Sequence, residues 1–352
     1  MRILIATDAI GPYASAEAGT AIARGWRTTA PDADLAVLPI GEAGAGLCDA
    51  YAALHGTQAE LTTDETGSLI RVLPTDDGVL LSVAAANPPE LDLGLPLQAT
   101  SAPVGAALAE VLATRPQRVL VDLGELHCHD AGAGILGALG ARSDRPLDEG
   151  AEALAGMTWL DLAPVRELVG TTELIAVVRS ELAGQHLLGL RGITSLRGRA
   201  GDMDPQRMIA IDETLERFAN LCAPEAALLP GAGADGAYAL AALGGRICTG
   251  PQLCADAADL SRTLPLADLV VTGATGFDFG SAGGPVVRYL ADRAEQATRP
   301  VIALAAQVWI SAREMRQFGI ESAYAMEREP DAVTDADLTE FAARVARSWR
   351  FP

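Results

Sequence analysis

Carboxylates and glycines recur together in this chain, in patterns that could hold a phosphate or a magnesium–nucleotide complex. Gly41-Glu42-Ala43-Gly44-Ala45-Gly46 is one such segment. The run Gly124 to Gly134, which contains Asp130 and Gly132, is a second. Pro230-Gly231-Ala232-Gly233-Ala234-Asp235-Gly236 is a third, and Gly273-Ala274-Thr275-Gly276-Phe277-Asp278 a fourth. Glycine lets backbone approach a ligand closely, and free N–H groups at a helix start can cradle an anion. Any one of these segments alone reads as a tight strand-to-helix turn. Four of them, with Glu42, Asp130 and Asp278 alongside, point to a site for an anion or a magnesium-bound nucleotide.

The second segment also carries His127-Cys128-His129-Asp130, which holds two of the four histidines. In an extended stretch His127 and His129 would face the same way, and with Asp130 they could ligate a metal. Bulky side chains that fill a former substrate pocket explain the same residues. The five cysteines are scattered and form no CxxC pair, so reduced thiols are expected.

Charge sets firm limits. The net charge is −20, which excludes a nucleic-acid backbone as partner. Every one of the 26 basic residues is arginine, so no mechanism that needs a lysine ammonium is open. No stretch approaches the roughly 20 unbroken apolar residues of a membrane span. Met1–Ala6 reads as a first strand and not as a leader, which places the expected location in the cytoplasm. The sequence carries no signal for an oligomeric state.

These segments need a scaffold, and the apolar pattern supplies one. At the N-terminal end Arg2–Ala6 reads as a strand. Ser15 is a plausible N-cap for a helix with Ala18, Ile22 and Trp26 on one face, and Leu35–Leu38 is a second strand. At the C-terminal end, strands are expected at Asp268–Thr272, Val301–Ala305 and Glu321–Met326. Helices are expected at Val286–Ala297 and Ala312–Phe318, and a last one presents Leu338, Phe341, Ala342 and Val345. Strand–helix–strand alternation implies parallel pairing. The fold class is therefore α/β. Residues 1–58 and 260–352 build a flavodoxin-like parallel sheet, with a mixed α/β domain, 59–259, inserted and a cleft between the two. The insert should contain strands at Leu69–Leu73, Val79–Val83, Val119–Leu123, Leu174–Val178 and Leu187–Leu190. It should also contain a helix at Gln206–Leu221, and a long Ala-rich helix opened by the Pro230–Gly236 loop.

Taken in order, these segments resemble the type 1 glycerate kinase (glycerate 2-kinase) family from Met1 to about residue 330. Arg2-Ile3-Leu4-Ile5-Ala6-Thr7-Asp8 resembles the family's opening strand and its aspartate. Pro230-Gly231-Ala232-Gly233-Ala234 is close to its PGAGA loop. Ala267 to Gly273 is similar to its ADLVITG strand, and Arg299 to Ala305 to its VPVIALAG. The resemblance implies the two-domain glycerate kinase fold and ATP-dependent phosphorylation of D-glycerate or a similar hydroxy acid, with Mg-ATP as cofactor. It further implies that Asp8 and Asp130 act at the substrate end and that Asp278 and Glu42 hold Mg²⁺. Gly44, Gly46, Gly132, Gly231, Gly233 and Arg199 would contact substrate or nucleotide.

The chain departs from the family pattern where charge matters. The DSFKG loop appears as Asp8-Ala9-Ile10-Gly11, without its lysine. The DGGEG loop loses its inner glutamate to Ala45. GEGRxD becomes Gly273 to Asp278 without its glutamate and arginine, and a later Gly-Lys is Gly284-Pro285. The lysine of PQKGA is at best displaced to Arg199. Phosphoryl transfer depends on positioning and on offsetting negative charge, and one lost cation can cost about a thousandfold. The expectation is therefore an impaired or inactive kinase. The alternative is a non-catalytic binding or interaction protein on the same fold, and a third reading is a different enzyme built around His127–Asp130.

Overall fold

The structure, a computed structural model, describes residues 1–85 and 95–349; the last three positions of the expected 260–352 segment lie outside it. The chain divides into two compact units, Met1–Gly56 with Gly250–Pro352, and Thr57–Thr249. The chain returns to the first unit at Gly250, ten residues before the boundary read from sequence. A Cβ at Gly250 would stand 2.6 Å from the Ala43 amide nitrogen, so the helix Gly250–Ala257 starts directly on the Gly41–Ala43 backbone.

In the first unit the strands Arg2–Ile5, Asp34–Val37, Leu269–Phe277, Val301–Val308 and Ser322–Ala325 form one all-parallel sheet. Numbered along the chain, their spatial order is 2-1-3-4-5, the flavodoxin-like arrangement. Ile3, Ile5, Leu269, Val271, Ile302 and Leu304 alternate onto one face and pack with Ile22, Trp26, Leu338 and Phe341. Intervening residues such as Val270 and Ala303 are buried too, as expected when helices cover both faces of a parallel sheet. The helices Ser15–Thr29 and Asp335–Ala346 approach closely at Gly25, where a Cβ would lie 2.2 Å from the Thr339 carbonyl oxygen.

Two expectations change here. Ser15 is the first helical residue and not the cap; its Oγ accepts the Ile40 amide at 2.9 Å and ties down the segment after the second strand. The third strand runs past Thr272 to Phe277, because Gly276 and Phe277 pair with Gln307 and Val308. Most of the fourth glycine-rich segment is thus strand, not loop. Gly273 is glycine because a Cβ there would meet the Leu304 carbonyl oxygen at 2.6 Å.

The insert is a six-stranded mixed sheet. Glu60–Thr63, Leu69–Thr75 and Gly78–Ala84 pair antiparallel, and Arg118–Asp122, Glu173–Val178 and Arg246–Thr249 continue from Gly78–Ala84 in parallel. The helix Pro205–Cys222 is capped by Asp204, which accepts the Arg207 amide at 3.0 Å, and it buries Ile211, Leu215 and Phe218. Leu187–Leu190 is not a strand. Gly189 adopts φ +89° and accepts the Gly192 amide at 2.8 Å, which turns the chain and leaves Leu190 exposed while Leu187 is buried. The Pro230–Gly236 loop opens only a short helix, Ala237–Ala242.

Candidate functional site

In the first unit the candidate residues follow the carboxyl ends of the strands, where open α/β sheets bind ligands. The Asp8 amide donates to the Gly273 carbonyl at 3.0 Å, and its Oδ1 accepts the Ala9 amide at 2.8 Å. Thr275 then clamps the loop: its Oγ1 accepts from the Gly11 amide at 3.1 Å and donates to the Ala9 carbonyl at 3.2 Å. Burial raises the Asp8 pKa, partly opposed by the Ala9 amide. Asp8 Oδ2 faces Gly284, the first residue of the helix Gly284–Gln296, 3.9 Å from where a Cβ would sit.

Asp278 begins the turn that leads into that helix. Its Oδ1 accepts the Gly280 and Ser281 amides at 2.7 and 2.8 Å, and its Oδ2 accepts the Ser281 hydroxyl at 3.0 Å. The bonds from Ser281 hold its pKa below the ordinary carboxylate value. The structure thus sets Asp8 against the end of the turn that Asp278 starts. Glu42 Oε1 accepts the Ala43 amide at 2.8 Å, just ahead of Gly44, the residue that precedes the helix Ala45–His55. Gly46 is exposed and a Cβ there would meet nothing within 4 Å.

The insert holds a second cluster, and there the expected roles change. Asp130 is fully buried and already accepts from five donors. These are the Ser101 amide and hydroxyl at 2.8 Å each, the Gly132 and Gly134 amides at 2.9 and 3.1 Å, and the Cys128 thiol at 3.2 Å. This geometry makes it an organiser of the loop, with no oxygen turned to a substrate. Burial pushes the Cys128 thiol well above its usual pKa, so it is no nucleophile. His129 Nε2 lies 2.9 Å from Thr194 Oγ1, and burial lowers its pKa to about 3, keeping it neutral. Among the described residues no group of three or more His, Cys, Asp or Glu side chains gathers to hold a metal, and this argues against a His127–His129–Asp130 metal centre.

The third glycine-rich loop is also internally committed. The Gly231 and Gly233 amides both donate to the Gln185 carbonyl at 3.0 Å, and the Ala232 and Ala234 amides donate to Leu229 and Gly231 carbonyls. A Cβ at Gly233 would stand 2.4 Å from the His186 carbonyl oxygen. The glycines serve close backbone packing, and these four N–H groups are not free for a phosphate.

Asp235, at the end of that loop, was passed over in the sequence. It is buried and receives two 2.7 Å bonds from the Arg197 guanidinium and one of 3.2 Å from the Cys128 amide. Burial opposes the Arg197 charge, but the Asp235 bonds more than offset it and its pKa is raised. Arg199 is exposed. Two positions along a helix turn the side chain through about 200°, so the Ile193–Ala200 helix delivers Arg197 inward and Arg199 outward. A carboxylate inside a glycine loop, with an arginine near the expected cation, was the available signal.

An apolar hollow of about 380 Å³ in the first unit lies beside Arg2, Asp34 and Leu266 and does not include Asp8, Glu42 or Asp278. Volume alone does not mark the candidate chemistry.

Known proteins place this geometry. The sequence profile of the Glycerate kinase family matches residues 3–350. The chain belongs to the glycerate kinase family. Within that family, the glycerate kinase of Bacillus subtilis (strain 168) is 28% identical over 369 residues, covering 97% of this chain and 94% of its own. The glycerate 2-kinase of Escherichia coli (strain K12) is 26% identical over 349 residues, covering 93% and 90%. A crystal structure of a protein assigned as glycerate kinase 2 from Salmonella typhimurium LT2 superposes with a TM-score of 0.76 at 25% identity. It covers 99% of this chain and 96% of that one. This family member therefore shares the kinase fold along nearly its whole length. Among its described residues, no helix is long and apolar enough to cross a membrane.

Proposed function

We propose that this family member binds a small hydroxy acid of the glycerate type and is at most a slow Mg-ATP-dependent phosphotransferase. The observation that carries this reading is the internal engagement of the Gly231–Ala234 amides, in a chain without lysine. The triphosphate of ATP needs cations or free amides to offset its charge as the phosphoryl group moves. The residues present do not meet that need. Asp278 and Glu42 could still anchor Mg²⁺, which is commonly held by one or two carboxylates together with substrate phosphates. Asp8, facing Gly284 with a raised pKa, is the best-placed acid–base group at the substrate end.

The test is ADP release by purified protein given D-glycerate, ATP and Mg²⁺, with an active family member run alongside. Release at or near a no-enzyme blank supports the reading. Turnover in the range of about 1–100 s⁻¹ usual for kinases overturns it. A second reading, a non-catalytic binding or interaction protein, is favoured by the same engaged amides together with the Arg197–Asp235 pair. It predicts hydroxy-acid binding with no ATP binding at all.

A further inference from the structure

We propose that Arg179 and His127 form an anion-recognition pair in the insert, built to take the carboxylate of a small hydroxy acid. The proposal rests on the hydroxy-acid reading above and gives that ligand a named anchor.

The topology brings the two residues together. Arg118–Asp122 and Glu173–Val178 are adjacent parallel strands, with Asp122 opposite Val177. Arg179 directly follows one strand and His127 lies five positions beyond the other, so both belong to the carboxyl edge of the sheet. Both also neighbour the same buried carboxylate. The Cys128 amide, next to His127, donates to Asp235 Oδ1, and Arg179 Nη2 stands 3.6 Å from Asp235 Oδ2.

One nitrogen of each side chain is unengaged. Arg197 already holds Asp235 through two short bonds. Arg179 reaches Asp235 and Glu181 only at 3.6 Å, beyond hydrogen-bond distance, and Glu181 is largely exposed. The Arg179 Nε and the His127 Nδ1 are both buried with no hydrogen-bond partner among the described residues. Buried polar atoms without a partner are rare in folded proteins and call for one. Two guanidinium groups thus face the buried Asp235, while the second carboxylate beside Arg179, that of Glu181, is 64% exposed and shares its charge with water. The Arg179 side chain is 23% exposed, so part of the guanidinium side chain reaches solvent.

The chemistry favours a monoanion. Burial, and after it the Arg179 charge, lowers the His127 pKa. The imidazole then stays neutral and offers one N–H donor near the Arg179 guanidinium. A carboxylate matches the planar arginine fork. A phosphate dianion would leave surplus negative charge close to Asp235.

Isothermal titration of the full chain with sodium D-glycerate, without ATP or Mg²⁺, tests this. Parallel titrations use inorganic phosphate and glycerol, which lacks the carboxylate. The expected result is binding of D-glycerate, phosphate weaker by about tenfold or more, and glycerol silent. Arg179→Gln should weaken D-glycerate by roughly ten- to a hundredfold, the loss expected for charge-assisted bonds. Arg207→Gln, an exposed arginine on the Pro205–Cys222 helix, should leave it unchanged. The ¹⁵N imidazole signal of His127 in the unmutated protein gives a second readout, and it should shift as D-glycerate saturates. Equal affinity in Arg179→Gln, tighter phosphate binding, absence of any D-glycerate heat, or an unmoved His127 signal each overturns the pair. If Arg179→Gln does not fold, the His127 signal alone decides. Binding that depends on Arg179 without ADP release leaves this inference standing and makes the protein non-catalytic. ADP release without Arg179 dependence does the reverse.

Discussion

Replacing Arg197 by methionine should destabilise the insert severely, and the structure allows the size to be worked out. Asp235 is nearly inaccessible, and Arg197 gives it both of its 2.7 Å bonds and also donates to the Cys128 carbonyl at 3.0 Å. Without Arg197 the carboxylate keeps only the 3.2 Å Cys128 amide and a distant Arg179. Removing one partner of a buried ion pair typically costs about 3–5 kcal/mol, because the other charge stays buried. Arg179 can move in and recover part of this, so the single variant should sit near the lower bound and Arg179→Met/Arg197→Met well beyond it. Urea melts followed by circular dichroism give the midpoint and slope. Hydrogen exchange of peptides from Ile193–Ala200 then assigns the change to the insert. The double variant Arg197→Met/Asp235→Leu should regain most of the loss, since an apolar pair leaves no orphaned charge. A cost under about 1 kcal/mol for Arg197→Met, or no recovery in the double variant, would show that the pair does not hold the insert together.

Four further outcomes are expected. His129 has its pKa depressed to about 3, so the unfolded chain binds its proton first. Its stabilising contribution is complete above pH 6.5 and is lost as pH falls toward 3, about 2 kcal/mol of it by pH 5, and His129→Gln melts measured from pH 7 to 5 should lack that slope. Asp130→Ala strips the acceptor from five donors and should cost about 3–5 kcal/mol in a urea melt, with Asp130→Asn milder because one oxygen remains. Gly25→Val should lower the midpoint of the first unit's unfolding by the equivalent of about 1–3 kcal/mol, since its side chain meets the Thr339 carbonyl. Asp8→Asn should raise the melting temperature slightly at pH 7, because burial disfavours the charged form, and a lowered value would contradict that placement.

Much of the scaffold could be read from the sequence because its signals are local. Continuous apolar runs such as Leu269–Val271 and Val301–Ala305 mark buried parallel strands, and Leu338, Phe341 and Val345 mark a helix face. The strand extension through Gly273–Phe277 was hidden because glycines read as a turn, whereas here they admit the backbone of the neighbouring strand. Leu187–Leu190 looked like a strand by composition and lost to the Gly189 turn. The candidate site was less legible, since side-chain partners come from distant positions. Asp130 stands out as a carboxylate in a glycine loop, yet its acceptors are filled by Ser101, 29 residues away, as well as by its neighbours. Arg197 and Arg179 carry no motif; only the fold brings them to Asp235.

The split of the first unit sets an order of events during synthesis. The Arg2 amide bonds to Asp268, 266 positions later, and the opening strand is flanked by Asp34–Val37 and Leu269–Phe277. At about 5–20 residues per second on a ribosome, the opening strand waits roughly 13–53 s for its second neighbour. Thr57–Thr249, by contrast, is contiguous and emerges complete while that wait continues. A nascent chain halted once Thr249 has left the ribosome, with Leu269–Phe277 still inside, should therefore carry a finished insert behind an unsatisfied strand edge with Ile3 and Ile5 uncovered, the kind of surface on which chaperones act.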